Sequence, residues 1–374
     1  MIIAINIRVL SGDYGANEFL ISCIIHAAIN NPESQFIFIN NKEFELHGIC
    51  PVNIKKFIIP QLSSNPVFWK LWYNYKLPSA IKKVNADILI NTDGLCSLRT
   101  KQPQIVFVND LAFIKYPQWY IKKYLQFIKK ETHGFLQKAT LIFSPSRFIK
   151  NEIAERYQLN EDKIKIIPVA TDKKYRPLNW ELKESAREKY SEGKEFFLFS
   201  GSIHPRSNLL NLLKAFSIFK KRQKSNMQLL ISSTTEQEDD VFVSSLSSYK
   251  YRNEVKLFTG INEETLAAIT GAAYGCINMA PLHNDIISLL NAIECGVPVI
   301  AGNFHIAIEL FGDAALFTDA SVPENIAEKL MLLYKDENRR NELIQRGFEQ
   351  SKKYDISQSA KIMWQNILHT LQPS

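Results

Sequence analysis

Glycine is scarce in this sequence. The chain of 374 residues contains 14 glycines, whereas the average usage of about 7% would give roughly 26. Glycine builds the tight loops in which the backbone approaches a phosphate or a sugar, so the shortage bears on any nucleotide-binding function. Long apolar runs are also missing. None reaches the roughly 18 residues that a membrane span needs, which predicts a chain without membrane-spanning helices.

Cysteine is sparse and shows no pairing pattern. The chain has five cysteines, without a C-x-x-C pair or any metal-ligand spacing, and its histidines are scattered. This pattern predicts structural thiols in a reduced, intracellular protein, and no metal site. The N-terminus, MIIAINIRVL, lacks the charged start and the small-residue cleavage site of a signal peptide. We therefore expect a cytoplasmic protein.

The overall composition is that of a globular protein. Hydrophobic residues make up 46% and charged residues 22% of the chain, with a net charge of +7. These values exclude disordered and low-complexity classes. The modest positive charge is compatible with an anionic membrane surface or a phosphorylated ligand, and we expect no nucleic-acid partner. Two stretches, 68–83 and 120–130, mix aromatic residues with lysines. They fit peripheral contact with an anionic membrane, amphipathic core helices with lysine faces, or a partner-binding surface.

Short apolar runs alternate with helix-length stretches along the whole chain. The runs predict two series of strands, at 2–10, 35–40, 86–91, 104–109, 140–145 and 163–169, and then at 195–201, 227–232, 254–258, 274–279, 297–302 and 314–317. Such alternation predicts α/β architecture with parallel sheets. The polar region 170–190 reads as a linker, and 336–372 as a helical tail. We expect one domain over 1–175 with the helix 356–374, and a second over 176–355.

The most informative segment is FFLFSGSIHPRSNLLNLLKAF, residues 196–216. It predicts a buried strand that ends at Gly201, a short loop with Arg206, and a helix that begins near Ser207. A helix N-terminus with an adjacent arginine suits a phosphate or pyrophosphate. In the alternative interpretation, Ser207 or Asn208 only caps the helix and Arg206 lies in solvent.

This segment resembles the signature G-x-x-x-P-R-K-N-x-x-x-L-L-x-A-F of retaining glycosyltransferases of the GT-B fold. The resemblance extends along the chain through GDYGANEF, FVNDLAFIKYP, FSPSRFIKNEIAERY, IIPVATDKKYRPL and ECGVPVIAGN. It implies two Rossmann-like domains that face each other across a cleft, with the C-terminal helix packed back on the first. The implied activity is transfer of a hexose, with retention, from a nucleotide sugar such as a UDP- or GDP-hexose. No other cofactor is implied.

The resemblance also implies the acceptor and the setting. The acceptor would be a glycan or a lipid-linked molecule, and the process polysaccharide or cell-envelope glycan synthesis. Relatives of this kind are cytoplasmic and lie peripherally on the inner face of the membrane, and a partner glycosyltransferase fits the same pattern.

Carried over by position, the resemblance assigns the site residues. Arg206, Asn109, Asp110 and His283 form the catalytic set, in which Asn109 replaces a family histidine and His283 the first of two glutamates. The donor-binding set is Gly15, Gly201, Arg206, Ser207, Asn208, Asn284, Asp285, Asn291 and Glu294. Ser207 stands at the position of a family lysine. Asn284, Asp285 and Ile286 stand at a G-F-G motif, and Asn291 stands at the second glutamate.

These departures from the family motif are expected to weaken binding of the nucleotide-sugar donor. Side chains at Asn284 and Ile286 obstruct a close backbone approach, and Asp285 would repel a diphosphate by about 1–4 kcal/mol at 4 Å. Asp285 and Glu294 provide a shifted pair of carboxylates. Alternatively, Asn284 or Asp285 is an N-cap and Glu294 a solvated charge. The sequence therefore supports two hypotheses: an active transferase, or a catalytically degenerate paralogue that serves as a binding or scaffold partner.

Overall fold

The protein consists of two compact units. The computed structural model describes residues 1–8, 15–44, 51–60, 65–171, 173–233, 239–282 and 286–372. The first unit comprises Met1–Val169 and Ile356–Ser374, and the second comprises Ala170–Asp355. Each unit has its own sheet, and all the strand pairs in both sheets are parallel. The predicted α/β class is confirmed.

The sheet of the first unit has seven strands in the order β3-β2-β1-β4-β5-β6-β7. They are β1 (Ile2–Asn6), β2 (Gln35–Asn40), β3 (Ile54–Ile58), β4 (Ile88–Asn91), β5 (Gln104–Phe107), β6 (Leu141–Ser144) and β7 (Ile164–Ile166). The central strands are apolar and buried along nearly their whole length. This is the pattern of a parallel sheet that is covered on both faces.

The helices of the first unit cover this sheet. They are α1 (Gly15–Asn30), α2 (Pro66–Leu71), α3 (Leu77–Lys83), α4 (Ala112–Lys115), α5 (Lys122–Lys138), α6 (Arg147–Tyr157) and, from the end of the chain, α15 (Ile356–Leu371). A π-helical turn, Trp72–Lys76, joins α2 to α3. The rings of Phe36 and Trp364 lie 5.9 Å apart, and Ser359 Oγ donates to the carbonyl of Pro168 at 2.7 Å. The prediction that the C-terminal helix packs on the first domain is confirmed.

The second unit has a six-stranded sheet in the order β10-β9-β8-β11-β12-β13. Its strands are β8 (Phe196–Ser200), β9 (Gln228–Ser232), β10 (Val255–Phe258), β11 (Gly275–Asn278), β12 (Val299–Gly302) and β13 (Ala315–Thr318). Its helices are α7 (Trp180–Ser191), α8 (Leu209–Gln223), α9 (Asp240–Ser247), α10 (Glu263–Ala272), α11 (Ile287–Glu294), α12 (His305–Phe311), α13 (Pro323–Lys335) and α14 (Glu337–Ser351). Phe197 and Phe219 meet edge to face at 5.4 Å in its core.

Three local expectations differ from the structure. The sequence does not predict β3. Lys55 and Lys56 are exposed on this edge strand, and these two adjacent lysines interrupt the apolar run by which a strand is recognised. The expected linker contains helix α7, which the side chain of Asn179 caps by accepting from the N–H of Leu182 at 2.9 Å. The tail is two helices, α14 and α15, separated at residues 352–355.

The two aromatic-basic stretches pack into the core of the first unit. Trp69, in α2, meets Phe127, in α5, edge to face at 5.3 Å, and Trp72 is buried. The lysines of α5 face outward: Lys122, Lys123, Lys129 and Lys130 are exposed. Over the described part of the chain, no helix combines the length and the apolar character that a membrane crossing requires.

Candidate functional site

The loop 201–208 starts where β8 ends. The N–H of Gly201 donates to the carbonyl of Ser232 at 3.0 Å, and a Cβ on Gly201 would lie 3.3 Å from Nδ2 of Asn278, the last residue of β11. The strand order reverses between β8 and β11. Open α/β sheets bind ligands beyond the carboxyl ends of the strands at such a reversal. Gly201 therefore lies at the binding edge of this fold class, where little room exists for a side chain.

A short 3-10 turn, Pro205–Ser207, holds Arg206. Nδ1 of His204 accepts from the backbone N–H of Arg206 at 3.1 Å. Nη2 of Arg206 lies 3.4 Å from Oγ of Ser202, and Ser207 Oγ donates to the carbonyl of Ser202 at 2.6 Å. Arg206 is partly buried. These bonds hold the guanidinium close to the end of β8 and correct the alternative in which Arg206 lies free in solvent.

Helix α8 begins at Leu209, after this turn, rather than near Ser207 as predicted. Asn208 occupies the N-cap position with a left-handed φ of 57° and makes no side-chain cap bond. Its Nδ2 donates instead to the carbonyl of Ala320. Asn208 therefore takes the N-cap position, as one alternative had it, but without a side-chain cap bond, and Ser207 belongs to the preceding 3-10 turn. The N–H of Asn211 donates to the carbonyl of Asn208 at 3.1 Å, which leaves the N–H groups of Leu209 and Leu210 as the first-turn donors of α8. With the positive end of the helix dipole and Arg206 in the preceding turn, these donors suit a phosphate.

Helix α11 carries the remaining described candidates of the second unit. Asn291 and Glu294 lie three residues apart on one helix face, and both are partly exposed. Neither side chain forms a hydrogen bond with any described residue. Ile286 occupies the N-cap position of α11 and offers no side-chain cap bond, whereas the sequence alternative gave this cap to Asn284 or Asp285. His283, Asn284 and Asp285 lie outside the described residues.

In the first unit, Asn109 and Asp110 follow β5 at the carboxyl edge of the sheet. Both are partly buried, and Oδ1 of Asp110 accepts from the N–H of Ala112 at 2.8 Å. This bond is an Asx turn that leads into α4. Gly15 is the first residue of α1. The structure thus gathers Gly201, Arg206, Ser207 and Asn208 in one loop of the second unit, while Gly15, Asn109 and Asp110 belong to the first unit.

A second polar cluster lies at the carboxyl edge of the first sheet, and no sequence motif predicted it. Asn6 ends β1 and Asn91 ends β4, and Asn6 Nδ2 donates to Asn91 Oδ1 at 3.1 Å. Asn6 Nδ2 also lies 3.4 Å from the Tyr73 hydroxyl, and this hydroxyl donates to Oδ2 of Asp93. Buried Arg8 completes what we call the Arg8 cluster. The feature of the sequence that could have indicated this cluster is the pair of polar residues at the ends of two buried strands.

The ionisation of Asp93 is shifted in this cluster. Burial raises the pKa of Asp93 to about 6, and the hydrogen bond from Tyr73 and the charge of Arg8 partly oppose the rise. Burial and the nearby Asp93 carboxylate raise the pKa of Tyr73 well above its ordinary value. Tyr73 therefore stays protonated at neutral pH, while Asp93 titrates in the mildly acidic range.

No described group of three or more His, Cys, Asp or Glu side chains has an arrangement that could hold a metal ion. The four described cysteines are free and buried, at positions 23, 96, 276 and 295. Burial raises the pKa of Cys96, Cys276 and Cys295 to about 12. Thiols in that state are poor nucleophiles and poor metal ligands.

Comparison with known proteins agrees with the architecture of both units. A family model described as Glycosyltransferase Family 4 matches residues 38–175, and one described as Glycosyl transferases group 1 matches residues 182–350. The crystal structure of Anabaena HepE in complex with UDP-glucose aligns with a TM-score of 0.76 at 13% identity, over 99% of this chain and 100% of that one. At this identity the likeness concerns the fold alone. The fold is GT-B, and the chain belongs to the GT-B glycosyltransferases.

Two curated relatives come from Escherichia coli. O-antigen chain mannosyltransferase B is 24% identical over 247 residues, which is 66% of this chain and 65% of the relative. Serotype-specific mannosyltransferase WbdA is 24% identical over 241 residues, 62% of this chain and 28% of the relative. The matches thus span less than two thirds of the length of either relative.

Proposed function

We propose that this chain transfers a hexose, with retention, from a nucleotide sugar to a glycan or lipid-linked acceptor in cell-envelope polysaccharide synthesis. The observation that carries the proposal is the loop 201–208. It holds the Arg206 guanidinium at Ser202, just beyond β8 and the strand-order reversal of the second sheet, and α8 begins at Leu209 directly after this loop. The mannosyltransferase relatives favour mannose, and hence a GDP-hexose, as the first donor to test. UDP-glucose, which HepE binds, is the second.

The loop supports the departure of a diphosphate. During transfer, the bond between the anomeric carbon and the donor phosphate oxygen breaks, and the nucleoside diphosphate leaves with the electron pair. The acceptor oxygen forms the new bond on the same face of the sugar, and its proton passes to the leaving phosphate. Negative charge grows on the diphosphate, where Arg206 and the N-terminus of α8 would stabilise it. Little is then required of a protein base.

The other candidate residues are given roles by their positions in the sequence. We place Asn109 and Asp110 on the sugar and acceptor side, and Gly15, Ser207, Asn208, Asn291 and Glu294 around the donor. His283, Asn284 and Asp285 belong to the same proposed site by their positions in the sequence. The nucleotide sugar is a substrate, and the proposal includes no metal or other cofactor.

Nucleotide binding tests the proposal. Isothermal titration calorimetry with UDP, GDP, UDP-glucose and GDP-mannose should detect at least one ligand in the wild-type protein. Arg206→Ala removes a charge-assisted contact worth about 1.5–3 kcal/mol, which corresponds to a loss of affinity of about 10- to 150-fold. Arg222→Ala is the matched control, because Arg222 is exposed in the last turn of the same helix. Absence of binding by all four ligands at millimolar concentration would contradict the proposal.

One observation favours the second hypothesis, a catalytically degenerate paralogue that acts as a binding or scaffold partner. The position of the second family glutamate is Asn291, and no carboxylate occurs on α11 before Glu294. A scaffold paralogue would bind no nucleotide, or would bind one without releasing its sugar. Turnover of a bound nucleotide sugar therefore separates the two hypotheses.

The proposal also places the protein in the cytoplasm, against the inner face of the membrane. Ile121 is 77% exposed, and it is followed by the exposed Lys122 and Lys123. An exposed apolar side chain beside cations suits an anionic lipid surface. Co-sedimentation with vesicles of phosphatidylglycerol should exceed that with phosphatidylcholine, and Ile121→Glu should abolish the difference. Equal sedimentation with both vesicles would remove this part of the proposal.

A further inference from the structure

The Arg8 cluster contains more hydrogen-bond donors than acceptors. Arg8 has no exposed surface, and its Nε, Nη1 and Nη2 have no hydrogen-bond partner among the described residues. Nδ2 of Asn91 is likewise buried and without a described partner. Buried polar groups in folded proteins are almost always paired. Four such donors in one cluster therefore indicate a missing acceptor.

Each side-chain acceptor of the cluster already accepts a hydrogen bond from a group other than the Arg8 guanidinium. Oδ1 of Asn91 accepts from Asn6 at 3.1 Å, and Oδ1 of Asn6 accepts from the N–H of Arg8 at 3.2 Å. Oδ1 of Asp93 accepts from the N–H of Leu95 at 3.2 Å, and Oδ2 of Asp93 accepts from the Tyr73 hydroxyl. Asp93 does not pair directly with Arg8, because the Arg8 guanidinium forms no hydrogen bond to any described carboxylate.

The aromatic neighbours of Arg8 leave its donors available. The guanidinium carbon lies 4.8 Å from the ring centre of Trp72 and 5.4 Å from that of Tyr73. Contact with a ring face occupies the flat side of a guanidinium and supports its charge. The five N–H groups point outward in the guanidinium plane, where they match the oxygens of a phosphate or carboxylate in bidentate geometry.

We propose that Arg8 and Asn91 form an oxyanion-binding site at the carboxyl edge of the first sheet, which takes a phosphate or carboxylate group of the acceptor. The assignment to the acceptor rests on the proposed function, while the binding of the anion does not. This site differs from the donor loop in its sheet, its residues and its burial. Because the guanidinium is shielded from solvent, binding there should depend less on salt than binding to Arg206.

The test uses simple anions and removes the donor-side site. In an Arg206→Ala background, inorganic phosphate and sodium glucuronate are titrated at constant ionic strength with sodium chloride as reference, by thermal shift and calorimetry. We expect at least one anion to raise Tm and to bind. Adding Arg8→Gln should weaken this binding at least tenfold. Preference for phosphate or for glucuronate tells which of the two groups the acceptor carries.

Arg99→Gln in the same background is the matched control. Arg99 also faces a ring, 4.5 Å from the centre of Tyr75, and belongs to the same unit, but it is exposed. Its replacement should leave anion binding unchanged. Arg8→Lys, which keeps the charge and lacks the planar fork, provides a second variant if Arg8→Gln does not fold, and it should also bind at least tenfold more weakly.

A spectroscopic readout locates the anion directly. In protein labelled with ¹⁵N-arginine, the Nε–H resonance that Arg8→Lys removes should shift as phosphate or glucuronate is added. The proposal is overturned if neither anion binds the Arg206→Ala protein, if Arg8→Gln and Arg8→Lys bind as well as their parent, or if this resonance does not move. None of these titrations contains a nucleotide, so failure here and failure of the proposed function are distinguishable.

Discussion

The carboxyl edges of the two sheets each hold an arginine, and the two arginines are held in different ways. Arg206 is partly exposed, and its own loop supplies two of its partners: its backbone N–H donates to Nδ1 of His204, and its Nη2 donates to Oγ of Ser202. Arg8 is fully buried, and its neighbours Tyr73 and Asp93 come from distant parts of the chain. One edge is thus a local loop, and the other is a tertiary assembly.

This difference explains why one edge could be predicted from the sequence and the other could not. In a loop between a strand and a helix, the candidate residues are neighbours in the sequence. The segment 196–216 could therefore be recognised from the sequence alone. In the Arg8 cluster, hydrogen bonds join residues 67 and 85 positions apart. Such contacts depend on strand order, which a single sequence does not specify. Candidate residues that lie in one contiguous segment can therefore be proposed from the sequence, whereas those that only the fold brings together cannot.

The largest expected effect concerns the packing that supports the buried edge. Trp72 is buried beneath Arg8, and its Nε1 donates to the carbonyl of Ile59 at 3.1 Å. Trp72→Ala should lower the free energy of unfolding by about 3–5 kcal/mol, as for other large core residues. Urea denaturation followed by circular dichroism measures it. Trp180→Ala is the control, because Trp180 is 75% exposed, and a similar loss there would contradict the account.

A pH profile sharpens the comparison between the edges. Because the pKa of Asp93 is raised to about 6, its ionisation opposes folding: stability from this group is present at pH 4 and is lost as pH rises through 6. Asp93→Asn should therefore raise the free energy of unfolding by about 1–3 kcal/mol at pH 8 and change it little at pH 4. Denaturation midpoints at both pH values give the difference.

Asp319, in the second unit, provides a control of opposite sign. Hydrogen bonds from the hydroxyl and the N–H of Ser321 lower the pKa of Asp319. Its ionised form therefore favours folding, and this contribution is lost as pH falls through the folded pKa. Asp319→Asn should destabilise the protein at neutral pH and have less effect in acid. A pH profile of Asp93→Asn that runs in the same direction as that of Asp319→Asn would refute the assignment.

The smallest effect concerns the close packing of the donor loop. Gly201→Ala places a Cβ 3.3 Å from Nδ2 of Asn278 at a backbone φ of 154° that side chains rarely adopt, and the two effects together should cost about 1–2 kcal/mol. Gly134→Ala is the matched control, because the new Cβ in α5 meets nothing nearer than 4.0 Å. Gly134→Ala should raise the free energy of unfolding by about 0.5–1 kcal/mol, because alanine has a higher helix propensity than glycine. Thermal unfolding of both variants tests whether their signs differ.

The fold was largely predictable, because buried parallel strands are continuous apolar runs that periodicity detects. The failures have local causes. Exposed lysines conceal β3, and α7 is so polar that only its cap and buried Ala186 distinguish it from a linker. Within the candidate site, the sequence located Gly201 at the end of β8 and Arg206 in the loop before α8, and their roles in donor binding stay predictions. The start of α8 was misplaced because the 3-10 turn and the left-handed Asn208 delay it.

Turnover of a nucleotide sugar tests the central claim most directly. GDP-mannose and UDP-glucose are incubated with the wild-type protein, and free nucleoside diphosphate is followed by chromatography, with water or added glycan as the acceptor. The account predicts release from at least one donor, reduced about 10²- to 10³-fold by Arg206→Ala, as expected for a lost transition-state contact, and unchanged by Arg222→Ala. Binding without release would contradict it, as would equal release by the wild type and Arg206→Ala.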